Sequence, residues 1–229
     1  MMKRTLITLG SLFCISVGTL LGSSITIGTD NGSNAFPFSG PFYGYAGTDY
    51  QEAYASSDFS GPIDITGIDF LLGPGFKGQL YAGTYTLSFS IISDDIGSLS
   101  STDLDGNIGS DNTVFDVVTL GGNAPNVLTF TGTTPFLYNP ADGNLLLNIS
   151  VANGTGGSSA AYQDSEGSGT GIARYQNFGL TNGVGYGLVT EFDSNVAMAT
   201  TPEPGTLSLV VCLGLVGLLV QRLRRTRLS

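Results

Sequence analysis

The 229-residue chain contains no histidine and no tryptophan. Without histidine it can hold no Ser-His-Asp triad, no Cys-His pair and no His-ligated zinc or iron site of its own. Its two cysteines, Cys14 and Cys212, both fall in apolar terminal segments, so the region between them has no disulfide and must rely on core packing. Positive charge is almost as scarce. Residues 25–199 hold Lys77 and Arg174 against 17 acids, a net −15 that the whole-chain value of −10 conceals. A surface of that sign repels nucleic acid and anionic lipid, so no nucleic-acid partner is expected. Helical periodicity is missing between the two ends.

What the ends do contain is informative. Lys3 and Arg4 precede an apolar stretch over residues 6–21, followed by the small residues Gly22, Ser23 and Ser24. This order of charge, apolar core and small residues reads as a secretory signal peptide over residues 1–24, with signal peptidase cutting after Ser24. Phe13 stands before Cys14 where an acylated cysteine needs a small residue, which argues against a lipoprotein. At the other end, Pro202 and Pro204 block any helix from running through them. Residues 207–220 carry no charge, and Arg222, Arg224, Arg225 and Arg227 follow at once. Counted from 206 to 223 the segment gives about 27 Å of helix at ~1.5 Å per residue, enough for a bilayer core of ~30 Å if the arginines snorkel. The arginines set the topology: tail in the cytoplasm, preceding residues outside.

The triplet Pro202-Glu203-Pro204, the apolar span and the arginine-rich end, in that order, resemble the PEP-CTERM sorting signal of Gram-negative bacteria. The resemblance covers residues 202–227. It implies recognition by an exosortase, a membrane protease-transpeptidase thought to cut near the triplet, and a link to cells that make extracellular polysaccharide. The active cysteine of that system belongs to the exosortase, so Cys212 inherits no catalytic role.

Residues 25–199 are long enough for one domain with a substantial core. Short β-rich runs recur at 63–72, 83–92, 114–120, 127–131, 145–151, 172–178 and 186–192. The clearest is 83–92, where Tyr85, Leu87, Phe89 and Ile91 alternate with Thr and Ser, one face buried and one wet. In 63–72 the alternation is weaker. Glycine and asparagine turns separate the runs, as at Asp142-Gly143-Asn144 and Asn182-Gly183. The expected fold is all-β, an antiparallel β-sandwich of jelly-roll-like form, set between the signal peptide and a C-terminal sorting segment over 200–229. Residues 153–171, rich in Gly and Ser, are expected to form a surface loop. Scattered residues 82–87, 107–112, 133–147 and 186–190 also resemble a group of exported PEP-CTERM proteins of unknown function. That resemblance implies a shared β fold and no catalytic residues.

Four constellations invite chemistry. Asp103, Asp105, Asn107 and Asp111 place oxygen donors at alternating positions suited to Ca²⁺, with Asp94 and Asp95 near in sequence. The EF-hand pattern fails, because glycine stands at the fourth position and Val114 occupies the place of the bidentate Glu. The other reading is a solvated acidic turn. The pairs Asp164/Glu166 and Glu191/Asp193 meet the minimal need of a glycosidase for two carboxyl groups, though chance yields such pairs among 17 acids. The cluster Phe36, Phe38, Phe42, Tyr43, Tyr45, Tyr50 and Tyr54 is either a carbohydrate platform or sandwich packing. Residues 167–171 alternate glycine with Ser and Thr but lack the Lys of a phosphate loop.

The leading expectation is an exported, non-enzymatic protein of the cell surface or extracellular matrix. It passes through an inner-membrane stage with its body in the periplasm, is sorted by an exosortase, and associates with exopolysaccharide in biofilm. A carbohydrate-binding module, Ca²⁺-dependent or not, is the second reading, and a glycoside-active enzyme the third.

Overall fold

A computed structural model describes residues 22–39, 48–167, 171–176 and 182–195. The described residues form thirteen strands and two 3-10 turns, with no α-helix. The strands are β1 (Gly22–Ile27), β2 (Gly32–Asn34), β3 (Thr48–Tyr54), β4 (Ile63–Leu71), β5 (Gln79–Ile92), β6 (Thr113–Leu120) and β7 (Val127–Tyr138). They continue as β8 (Asn144–Ser158), β9 (Tyr162–Ser165), β10 (Ile172–Gln176), β11 (Gly183–Val184), β12 (Gly187–Leu188) and β13 (Thr190–Asn195). All pairings are antiparallel. One sheet runs β1-β13-β4-β7, a second β11-β10-β3-β8-β5-β6, and a small third β12-β9-β2.

The two large sheets pack face to face. Phe192 on β13 meets Tyr54 on β3 at 4.9 Å between ring centroids and Phe89 on β5 at 6.3 Å. Phe38 lies deeper still, with Phe70, Phe130, Tyr85 and Tyr162 around it at 5.0–5.9 Å. Rings tilted or edge-on at these spacings add to the burial of their area. Strand β5 buries Tyr85, Leu87 and Phe89 completely, as the alternation of 83–92 predicts, but Ser88 and Ser90 of the expected wet face are buried as well and Ile91 only partly. The weak alternation of 63–72 has a physical cause: the register with β7 shifts between Ile65 and Gly67. This bulge reverses the parity, so Ile63 and Ile65 point inward before it, and Ile68 and Phe70 after it.

A second, smaller core lies on the outer face of the six-stranded sheet. Ile96, Leu99 and Leu104, from the connection between β5 and β6, pack on Ala53, Leu146, Ala173 and Tyr175. Strands β3 and β10 are therefore buried on both faces.

Two expectations are modified, and a third observation concerns the start of the described chain. Residues 153–171 are not one loop: β8 continues to Ser158 because β5 is long enough to pair with it, up to Gln79 opposite Ser158, and β9 occupies 162–165. The run 186–192 is broken at Val189 into β12 and β13, which belong to different sheets. Finally, β1 begins at Gly22, with Gly22 opposite Asn195 and Ser24 opposite Asp193. The three small residues read above as the end of the leader thus take part in a strand. Among the described residues no helix is long and apolar enough to cross a membrane. The sorting triplet Pro202-Glu203-Pro204, the 206–223 span and Arg222, Arg224, Arg225 and Arg227 lie outside the described residues, as does 1–21.

Candidate functional site

The main chemical concentration in the interior was not among the sequence candidates. Strand β3 turns Tyr50, Glu52 and Tyr54 toward the core, and all three are fully buried. Glu52 Oε1 accepts from the Tyr50 hydroxyl and, at 2.5 Å, from the Leu188 amide. Its Oε2 accepts from the Tyr54 hydroxyl at 2.7 Å and the Thr190 hydroxyl at 3.3 Å. Directly across the ladder from Glu52 stands Arg174 on β10. Its guanidinium donates to both oxygens of Asp164 on β9, at 2.9 and 3.1 Å, and lies 5.7 Å from the Tyr186 ring centroid. Arg174 and Asp164 are 4% and 1% exposed, so this ion pair is shielded from salt and solvent.

Burial dominates the electrostatics. It pushes the Asp164 carboxyl up to about 7, with the Glu52 charge adding to the effect and Arg174 opposing it. Burial raises Glu52 as well, against the pull of its donors. It holds the Tyr50 and Tyr54 phenols far above their usual range. Two carboxyl groups thus share one guanidinium in a dry interior. Gln176, two residues beyond Arg174 on β10 and 1% exposed, has no hydrogen-bond partner among the described residues at either end of its side-chain amide. The arrangement ties β3, β9, β10, β12 and β13 together, and its charged groups are buried, with the partly exposed Tyr186 ring over Arg174.

The sequence candidates take varied places. Asn107 is buried, with its amide donating to Gln51 Oε1 and the Ser100 carbonyl and its Oδ1 accepting from the Ser100 amide. Gln51 in turn donates to the Leu104 carbonyl at 2.8 Å and to Asn148 Oδ1 at 3.0 Å. Asp103 accepts from the Gly106 amide and Asp111 from the Ile91 amide, and with Asp105 both face solvent. The loop is thus pinned to the sheet, and among the described residues no three acidic, histidine or cysteine side chains gather as a metal site needs. Of the aromatic cluster, Phe38, Tyr50 and Tyr54 are fully buried and Phe36 is partly buried, so these four pack the core. Phe42, Tyr43 and Tyr45 lie outside the described residues.

One acid pair separates and the other stays together. Asp164 points inward to Arg174 while Glu166 is exposed. Glu191 and Asp193 share the outer face of the β1-β13-β4-β7 sheet, as alternate residues of β13 must, and Glu191 stands opposite Asp69 of β4. Partial burial raises the Asp193 carboxyl, with Asp69 and Glu191 adding to it. Ser23, Ser24 and Thr66 border the same shallow hollow.

The β4–β5 and β6–β7 connections border a groove of about 490 Å³. Three backbone hydrogen bonds hold those connections together: Leu72 N to Asn126 O at 2.8 Å, Leu80 N to Gly122 O at 2.8 Å, and Ala124 N to Gly78 O at 2.9 Å. Compared with known proteins, the chain matches no protein-family model, and no curated protein shows significant similarity to it.

Proposed function

We propose that the chain is an exported, non-enzymatic surface or matrix protein whose body is a jelly-roll cargo delivered by a C-terminal sorting signal. The observation that carries the proposal is the ordered tail: Pro202-Glu203-Pro204, a span over 206–223, then four arginines. In this reading signal peptidase and an exosortase act on the two ends, and the inner membrane is a stage on the way to the exopolysaccharide of the cell surface or biofilm.

The strand order supports a jelly roll. Taking the eight strands β1, β3, β4, β5, β6, β7, β8 and β13, the sheets read first-eighth-third-sixth and second-seventh-fourth-fifth. A double Greek key wound up on itself gives that order. The buried polar cluster supports a structural rather than a catalytic use of its residues, since it is sealed and its donors already serve Glu52 and Asp164. The paired acids Glu191 and Asp193 stand on an open sheet face, which favours an inert surface over a glycosidase cleft. Calcium on Asp103, Asp105, Asn107 and Asp111 remains a subsidiary proposal. It requires the melting temperature to rise with CaCl₂ and fall with EGTA.

The test is intact mass measurement of the exported protein in cells with and without an exosortase. Loss of the residues after the triplet, dependent on the exosortase, is expected. A mature chain still ending at Ser229 reduces the tail to a plain anchor.

A further inference from the structure

The groove between the β4–β5 and β6–β7 connections differs from the rest of this surface. No acid lines it, although the body carries a net −15. Its lining holds Lys77, which is exposed and, among the described residues, is the basic side chain not engaged in the interior. Phe76 projects beside it, 38% exposed. Around them stand the side-chain amides of Gln79, Asn123 and Asn126, none hydrogen-bonded within the described protein, over a floor formed by Leu72 and Ala124. The backbone bonds that lace the two connections hold the frame of this arrangement, so the ordering cost of binding falls on its exposed side chains.

We propose that this groove binds an acidic saccharide, a sugar chain carrying uronic-acid carboxylates. The chemistry of each group assigns the class. An exposed phenyl face fits the apolar face of a pyranose. Three free amides offer donors and acceptors in equal number, as vicinal hydroxyls require and as a bare anion does not. One ammonium in a groove free of acids gives a carboxylate a local partner, a contact that must outweigh the repulsion of a body of net −15 and so should strengthen as salt screens that repulsion. The volume is that of a small-molecule site rather than of a protein interface.

The position in the fold agrees. Strand β4 starts near Asn195, with Asp64 opposite it, and ends at Leu71, where the groove begins. At ~3.3 Å per residue the groove lies roughly 23 Å along the strand from the point where the chain leaves the sheet. The groove and Asn195 thus lie at opposite ends of β4 within the body. The biological source of the saccharide rests on the extracellular reading above; the groove's preference for it does not.

The test uses the full chain purified in detergent, titrated calorimetrically with a galacturonate pentamer, a neutral galactose pentamer and a glutamate pentamer. The galacturonate is expected to bind most tightly. Lys77→Gln should weaken it about tenfold while leaving the neutral sugar unchanged, and Phe76→Ala should weaken both sugars by about tenfold or more. Because both side chains are exposed, the melting temperature should not move, and Lys77→Gln is informative even if Phe76→Ala fails to fold. Absence of galacturonate binding, indifference to both substitutions, or equal binding of the glutamate pentamer would each overturn the proposal. A chain that binds but is not exported would sink only the sorting proposal, and an exported chain that does not bind would sink only this one.

Discussion

At the scale of single residues, Glu52 decides what the interior tolerates. Each of its four partners donates to it, and three of the donors are hydroxyls that can turn round. In Glu52→Gln the carbonyl can keep the Leu188 amide and the Tyr50 hydroxyl, while the new NH₂ meets Tyr54 and Thr190 as acceptors. That variant should lose only about 1 kcal/mol, whereas Glu52→Ala, which strands the Tyr50 hydroxyl and the Leu188 amide and leaves a hole, should lose about 3 kcal/mol or more, although Tyr54 and Thr190 keep each other and the Leu188 carbonyl as partners. Urea denaturation separates the two, and equal losses would show that the charge and not the hydrogen-bond set is what matters. Asp164 adds a pH dependence. Its folded value near 7 lies above the ordinary carboxyl value near 4, so the folded state holds the proton more tightly than the unfolded one. The contribution is present in full below about pH 4 and is lost as pH rises through about 7. The melting temperature should therefore decline across that window. Asp164→Asn, which has no proton to exchange in this range, should flatten the decline, so that its difference from the parent protein changes with pH across the same window.

At the scale of elements, the connection between β5 and β6 is part of the architecture. Leu104 fills the second core, and Asn107 spans from its own loop to Gln51 of β3. Asn107→Ala removes three hydrogen bonds at a buried site and should cost about 2–3 kcal/mol. It should also speed amide hydrogen exchange in residues 96–108 before it affects β5 or β8. How much of this was legible follows from exposure. Strands β4 and β6, and β5 up to Leu87, keep one face less buried than the other, so alternation betrays them. Strand β3 has no such face: Tyr50, Glu52 and Tyr54 face one core, Gln51 and Ala53 the other, and the sequence reads as an aromatic cluster with a stray acid. The glycines of 153–158 signal a loop by composition, yet they pair because β5 extends far enough to hold them. Asp103, Asp105, Asn107 and Asp111 could be picked out by donor type, but only the fold shows that Asn107 turns inward while the three aspartates face water. The Arg174–Asp164 pair had one available signal, a single arginine in an acidic body. A lone cation of that kind seldom stays unpaired, but nothing local to residue 174 says which of 17 acids it meets.

At the scale of the whole molecule, the antiparallel order of β1 and β13 brings Gly22 opposite Asn195, so the chain enters and leaves the sheet at the same end. The groove bounded by Leu72 and Asn126 sits at the other end. These placements give the body two different responses to force. Tension applied between the chain's own two ends opens β1 from β13 at Gly22 and Asn195, breaking the ladder one hydrogen bond at a time. Tension applied between a saccharide in the groove and the C-terminal attachment runs lengthwise along β4 and β13. It loads in parallel the ladder that joins Phe70–Thr190 to Asp64–Asn195, and hydrogen bonds that lie across the pull must then fail together. In a force spectrometer, pulling through residues 22 and 195 should unfold the body at markedly lower force than pulling through residues 76 and 195. A body so built yields readily when tugged by its own two ends and resists when it is pulled between the groove and residue 195.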